Sequence, residues 1–309
     1  MASEALLALG VVLAFVFGWN NSSFLIGNGE GSGSLTLREA LIVSSAGLLL
    51  GVALEGSQML RSLSGSVTPV AGDQVVLIAL VVSLSMTIVL STLKLPVSFS
   101  MAIVGAFAGA AYGSSLPLNG ARLEDIATFW FLSPILAAVL AYAFYRVIVR
   151  SASRLSLLAV DGVSRYGVIL TTLIIAYVLG ANNIGLIYGM TLNGSPASQA
   201  LPLVLVVVAI VGMVALGRGG ISGTIGDRLL GLSPFGVVAT FLASAVLIWT
   251  GTQLAIPISI SQCLLGGMFG AAFTKQTSAI NTRLASESIA MWVVVPVGAF
   301  LLGFLLVGV

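Results

Sequence analysis

Ten apolar runs separated by short polar connections make up this chain, at residues of about 4–26, 38–60, 74–93, 96–113, 127–149, 166–190, 199–217, 235–253, 257–274 and 288–308. A helix needs ~20 consecutive apolar residues to cross a bilayer, and most of these runs reach that length. A soluble protein with a large core would still carry a charged shell of ~25% of its residues; here 58% are hydrophobic and 7% charged. The expected fold is therefore an all-α polytopic membrane protein. Its first run lacks a basic n-region and an A-x-A-like cleavage site, so it is expected to be a retained helix. With no histidine and Cys263 alone, disulfides within the chain and Cys/His metal sites are excluded. Neither metal nor cofactor is expected.

Basic residues set the expected orientation. With the N-terminus outside, Arg38, Lys94, Arg146, Arg150, Arg154, Arg165, Arg218, Arg228, Lys275 and Arg283 fall inside, and only Arg61 and Arg122 outside. The midpoint connection is then cytoplasmic, the C-terminus outside, and the protein a multi-pass plasma (inner) membrane protein. Segments 74–113 and 235–274 are read either as full crossings or as re-entrant hairpins.

The chain repeats itself. Gly18-Trp19-Asn20-Asn21 returns as Gly180-Ala181-Asn182-Asn183 at an offset of 162. Pro96-Val97-Ser98-Phe99-Ser100 returns as Pro257-Ile258-Ser259-Ile260-Ser261, and Gly105 and Gly109 as Gly266 and Gly270, all at 161. The expected division is an N-terminal transmembrane repeat over 1–150, a cytoplasmic connection over 151–165 and a C-terminal repeat over 166–309. Each half holds an odd number of crossings, so the second copy inserts inverted. Inverted repeats place substrate near the midplane, where interrupted helices expose backbone groups.

Proline fits the first turn of a helix, where its missing N–H costs nothing. The N–H groups behind it, on Phe99, Ser100, Ile260 and Ser261, together with the hydroxyls of Ser98, Ser100, Ser259 and Ser261, would form an anion cradle favoured by the helix dipole. Asn20, Asn21, Asn182 and Asn183 either glue helices together or line the same site, as N–H donors to an oxyanion or carbonyl ligands to a cation. Asn21, Ser22, Asn183 and Glu55 are the candidates for a coupling ion. Glu55 qualifies because a carboxylate within the membrane is a functional suspect by default, although it fits a helix end equally well. The Gly-x-x-x-Gly pairs are read as close helix packing.

These motifs, GWNNSSFL, GANNIGLI, PVSFSM and PISISQ, resemble those of the inorganic phosphate transporter (PiT) family, over essentially the whole chain. The family carries a G-x-N-D-x-x-N-like and a P-V-S-T-T-H-like motif in each half. The resemblance implies a secondary transporter of an inorganic oxyanion working by alternating access. Where the family has Asp, this chain has Asn21 and Asn183; Phe24 and Leu186 replace the second Asn, and Phe99-Ser100-Met101 and Ile260-Ser261-Gln262 replace Thr-Thr-His. In the family's phosphate transporters the Asp residues are implicated in cation and phosphate binding.

Replacing both Asp residues removes two negative charges and adds N–H donors. Sulfate has no proton to offer, so the expectation favours sulfate and the family's sulfate permease branch; phosphate is the alternative. A dianion entering an inside-negative cell costs about 4.6 kcal/mol per 100 mV, so symport with H+ or Na+ is expected, protons before sodium. No G-x-x-x-x-G-K-[ST] loop provides for ATP. A passive anion channel is the alternative of another class. An enzyme, built for instance on Lys94 and Ser98, fits poorly. The expected partners are the anion and the lipid bilayer, with no nucleic acid; a homodimer stays open.

Overall fold

The computed structural model describes residues 2–69, 71–93, 95, 97–193, 195–196, 200–216, 232–273 and 282–308. Lys94, Pro96, Arg218, Arg228 and Lys275 lie outside them. The protein is an all-α polytopic membrane protein. Five helices form the first half: α1 (Ala2–Ser22), α2 (Leu37–Glu55), α3 (Asp73–Thr92), α4 (Phe99–Gly113) and α5 (Gly120–Ala152). Five form the second: α6 (Leu157–Leu179), α7 (Ala200–Leu216), α8 (Pro234–Gln253), α9 (Ile260–Ala272) and α10 (Thr282–Leu306). α1 continues through a π turn, Ser23–Gly27, to Gly31, and α6 through a π turn, Gly180–Ile184, to Leu192.

Local chemistry sets the helix starts. Thr36 and Glu39 form a reciprocal capping box at α2. Asn119, Ser156 and Ser233 cap α5, α6 and α8, with Pro234 in the first turn of α8. The connection expected over 151–165 is mostly helix: α5 runs to Ala152 and α6 starts at Leu157. The apolar runs marked only what lipid must cover, whereas the 33 residues of α5 rise ~50 Å, well past a ~30 Å hydrocarbon core.

Two sets of contacts identify the ends of the bundle. At one, Asn193 after α6 donates to Asp73 at the start of α3 (2.8 Å), and Ser64 donates to Asn193 (3.1 Å). The Asn119 N–H before α5 donates to the Val67 carbonyl (2.8 Å). At the other, Arg165 near the start of α6 pairs with Glu39 near the start of α2 (2.6 Å). Thus α1 leaves the first end and α6 leaves the second, as inversion requires.

Among the described residues seven helices are long and apolar enough to cross a membrane. Two of the three shorter apolar helices are α4 and α9, with 15 and 13 residues. At 1.5 Å per residue they rise only ~20–22 Å. Trp130 stands ten residues into α5, ~15 Å along it, and its Nε1 donates to the Pro257 carbonyl in the α8–α9 turn (2.8 Å). That turn lies near mid-depth. α3–α4 and α8–α9 are therefore re-entrant hairpins that enter from opposite ends.

The halves pack on each other by exchanged contacts. A Cβ at Gly18 would meet the Ala209 carbonyl of α7, and one at Gly180 the Leu48 carbonyl of α2. Gly105 and Gly109 lie on the Pro296 and Phe300 carbonyls of α10; Gly266 and Gly270 lie equivalently on those of Pro134 and Ala138 in α5. These glycines serve close backbone approach, as the Gly-x-x-x-Gly spacing suggested.

Candidate functional site

The two serine segments meet. Ser98 and Ser259 are the residues immediately before α4 and α9. Their backbone is extended, so each chain turns from the hairpin tip straight into a helix start. Ser98 Oγ donates to Ser259 Oγ (2.9 Å), Ser259 Oγ shares a hydrogen bond with Ser261 Oγ (3.0 Å), and Ser100 Oγ donates to the Ile258 carbonyl (2.5 Å). The first N–H groups of a helix have no partner within it, and its N-terminus carries about +0.5 charge. Two such ends facing each other favour a negative charge between them. All four serines are under 5% exposed, so the site is shut off from both ends.

The asparagines stand beside this junction. Asn20 Oδ1 accepts from Ser91 Oγ at the end of α3 (2.9 Å). At the equivalent place, Asn182 Nδ2 donates to Thr252 Oγ1 (3.0 Å) and the Ile256 carbonyl (3.1 Å), and its Oδ1 accepts from the Ile258 N–H (3.2 Å). The first asparagine of each pair thus fixes a hairpin tip. The second differs. Asn21 Nδ2 donates to the Phe17 carbonyl (3.0 Å), and Oδ1 of both Asn21 and Asn183 is buried with no hydrogen-bond partner. A buried polar atom without a partner costs about 1–3 kcal/mol, so two at equivalent positions call for a ligand. The helices here are not broken as expected: a π turn, a feature frequent at functional sites, widens each one at or just after its asparagine pair.

Other expected residues fall elsewhere. The Phe99 ring packs edge-on against Phe17, with centroids 5.2 Å apart, and Ile260 is buried; both can offer only their backbone N–H. Ser22 Oγ is bonded to the Trp19 carbonyl of its own helix (2.7 Å). Glu55 is engaged at the end of α2 by Trp249 Nε1 (3.3 Å) and Gln253 Nε2 (3.1 Å). Ser91 and Thr252 escaped the sequence reading, as did Trp130. The signal was there: Ser91 and Thr252 stand 161 apart, Trp130 and Trp292 162 apart.

A sequence profile of the phosphate transporter family matches residues 17–161 and again 157–303. A protein of Methanocaldococcus jannaschii named as a phosphate permease is 27% identical over 301 residues, covering 97% of this chain and 95% of the relative. A Bacillus subtilis protein named as a low-affinity inorganic phosphate transporter is 23% identical, covering 93% and 91%. A solved structure, the sodium-dependent phosphate transporter, superposes with a TM-score of 0.85 at 17% identity, over 99% of this chain and 98% of that one. Both the profile and the superposed structure are of transporters, not enzymes. The expectation of sulfate, and of the sulfate permease branch, is overturned: the profile and these relatives are named for phosphate, none for sulfate. The physical error lay in weighing only the amide N–H donors when choosing between the two anions, with the amide oxygen counted for a cation alone. That oxygen accepts, and at Asn21 and Asn183 it is the unpartnered atom.

Proposed function

The chain belongs to the phosphate transporter family, and from that premise we propose that it carries inorganic phosphate across the membrane by sodium symport with alternating access. The observation that supports this most is the meeting of two helix starts at Ser98 and Ser259, near mid-depth between inverted hairpins. Substrate is bound there by the hydroxyls of Ser98, Ser100, Ser259 and Ser261 and by the N–H groups of Phe99, Ser100, Ile260 and Ser261. Phosphate near neutral pH keeps a proton, so its P–OH needs an acceptor; the amide oxygens of Asn21 and Asn183, buried without a partner, would serve for that or for the cation. Neutral oxygens suit sodium, a hard cation, and cannot take up a proton themselves, which is why sodium is preferred. The sodium dependence named for the superposed structure agrees with this choice.

Purified protein in liposomes should concentrate labelled phosphate under an inward sodium gradient, with a tenfold excess of sulfate lowering uptake by less than half. Flux that never exceeds equilibration would mark a passive channel, and uptake indifferent to sodium would remove the symport.

The end carrying Arg61 and Arg122 faces outward in this reading, together with both termini, and the α5–α6 connection faces the cytoplasm. In a Cys263→Ala background, a cysteine at exposed Ser57 should react with an impermeant maleimide in intact right-side-out vesicles. One at exposed Ser153 should react only after permeabilisation. The reverse pattern inverts the topology.

A further inference from the structure

Two charged side chains, placed at the end of the bundle where α2 finishes, reach in to hold the tip of the second hairpin. Glu55 accepts from Trp249 Nε1 (3.3 Å) and Gln253 Nε2 (3.1 Å), both in the final turns of α8. Arg122, in the first turn of α5, donates through Nη2 to the carbonyls of Leu254 (2.9 Å) and Ala255 (2.7 Å), which form the turn after α8. Those carbonyls are the negative end of the α8 dipole, where a guanidinium is the fitting cap. The carboxylate takes the donors of the tip and the guanidinium takes its acceptors.

The clasped turn lies between this end and the site. Two residues beyond Leu254, the Ile256 carbonyl holds Asn182; Ile258 follows, donating its N–H to the same side chain, and then Ser259. Ile256 and Ile258 are buried. On the side of the clasp away from the site, Trp249 is 46% exposed.

The other half does not repeat this chemistry. The offset of 161 carries Glu55 to Leu216, Trp249 to Ile88, Gln253 to Thr92 and Arg122 to Arg283, which pairs instead with Glu287 of its own helix (2.8 Å). Packing common to the two hairpins would not need a carboxylate at the tip of one of them only, with an arginine turned onto that tip's carbonyls.

We propose that Glu55 and Arg122 form a latch, closed in this structure, whose release lets the α8–α9 tip move and opens the route from this end to Ser98 and Ser259. This rests on the transport reading above.

The test uses the full chain in proteoliposomes with Cys263→Ala. Glu55→Cys with Gln253→Cys is joined by a short, reducible bifunctional methanethiosulfonate. Phosphate uptake should fall at least tenfold on linking and return when reductant is added; that recovery also shows the variant is folded. Linked protein that transports within twofold of the unlinked overturns the latch. Separately, a reporter Ile256→Cys should react with an impermeant maleimide added at the Glu55 end at least tenfold faster once Glu55→Gln and Arg122→Gln are introduced. A rate within twofold of the parent also overturns it. The labelling rates read the latch whether or not phosphate is the substrate. A parent that takes up no phosphate but shows the tenfold labelling change therefore defeats the substrate reading and leaves the latch standing.

Discussion

Ser98→Ala combined with Ser259→Ala is expected to lower phosphate uptake by about 100-fold or more while leaving the folded protein intact. A hydrogen bond to a charged partner is worth about 1.5–3 kcal/mol, and every ~1.4 kcal/mol is tenfold, so each hydroxyl should cost about 10–150-fold in affinity. The two hydroxyls bond to each other (2.9 Å), but Ser259 Oγ also caps α9 by accepting the Gln262 N–H (3.4 Å) and bonds Ser261 Oγ (3.0 Å), so a stability cost of about 0.5–2 kcal/mol is expected with the lost cap. The check is a Michaelis analysis beside a thermal melt in detergent. A large rise in KM in protein that still melts cooperatively, with a slightly lowered midpoint, supports the site. Uptake within threefold of the parent would remove the serine pair from it.

Gly180→Val should do the opposite, acting on the fold before the chemistry. A Cβ here lands on the Leu48 carbonyl, a backbone atom that moves only if α2 and α6 separate. Overpacking of this kind costs about 1–3 kcal/mol, and the site's own asparagines, Asn182 and Asn183, would be dragged along. Gly162→Ala in the same helix is the contrast. Nothing lies within 4 Å of its Cβ, and trading a mid-helix glycine for alanine gains about 0.5–1 kcal/mol. The two melts should shift in opposite directions. Equal shifts would mean that the close approach at Gly180 is not what holds these helices together.

Much of this fold is legible in the sequence because lipid leaves the backbone few choices. Apolar runs become helices, and the motifs repeated at 161 and 162 give the pseudo-symmetry and the meeting of Ser98 with Ser259. What escaped depends on contacts between distant residues. Ser91 reads as one more helix hydroxyl, free to bond its own backbone; only the fold brings it to Asn20. Glu55 reads either as a membrane carboxylate or as a helix end; it ends α2, and its partners Trp249 and Gln253 lie nearly 200 residues away in sequence. The hairpins could not be told from full crossings, since α3 and α8 are long enough to span and the short α4 and α9 follow them after tight turns. The substrate was misread for a different reason. A side chain's formal charge was weighed, and the direction of its amide, which Phe17 fixes at Asn21, was not visible.

The exchanged packing has a consequence for how the molecule is made. α1 rests on α7, α2 on α6, α4 on α10 and α5 on α9, so the close-packed faces of four of the first five helices have their partners in the part of the chain translated last. Emerging from the ribosome, the first half is a set of inserted helices waiting with uncovered seams, and closure comes late, when a second set arrives pointing the other way. A gene encoding one such half would face the same need. It could supply both sets only by inserting its product in both directions and letting opposite copies pair, which is the bargain that fusing two halves into one chain makes permanent.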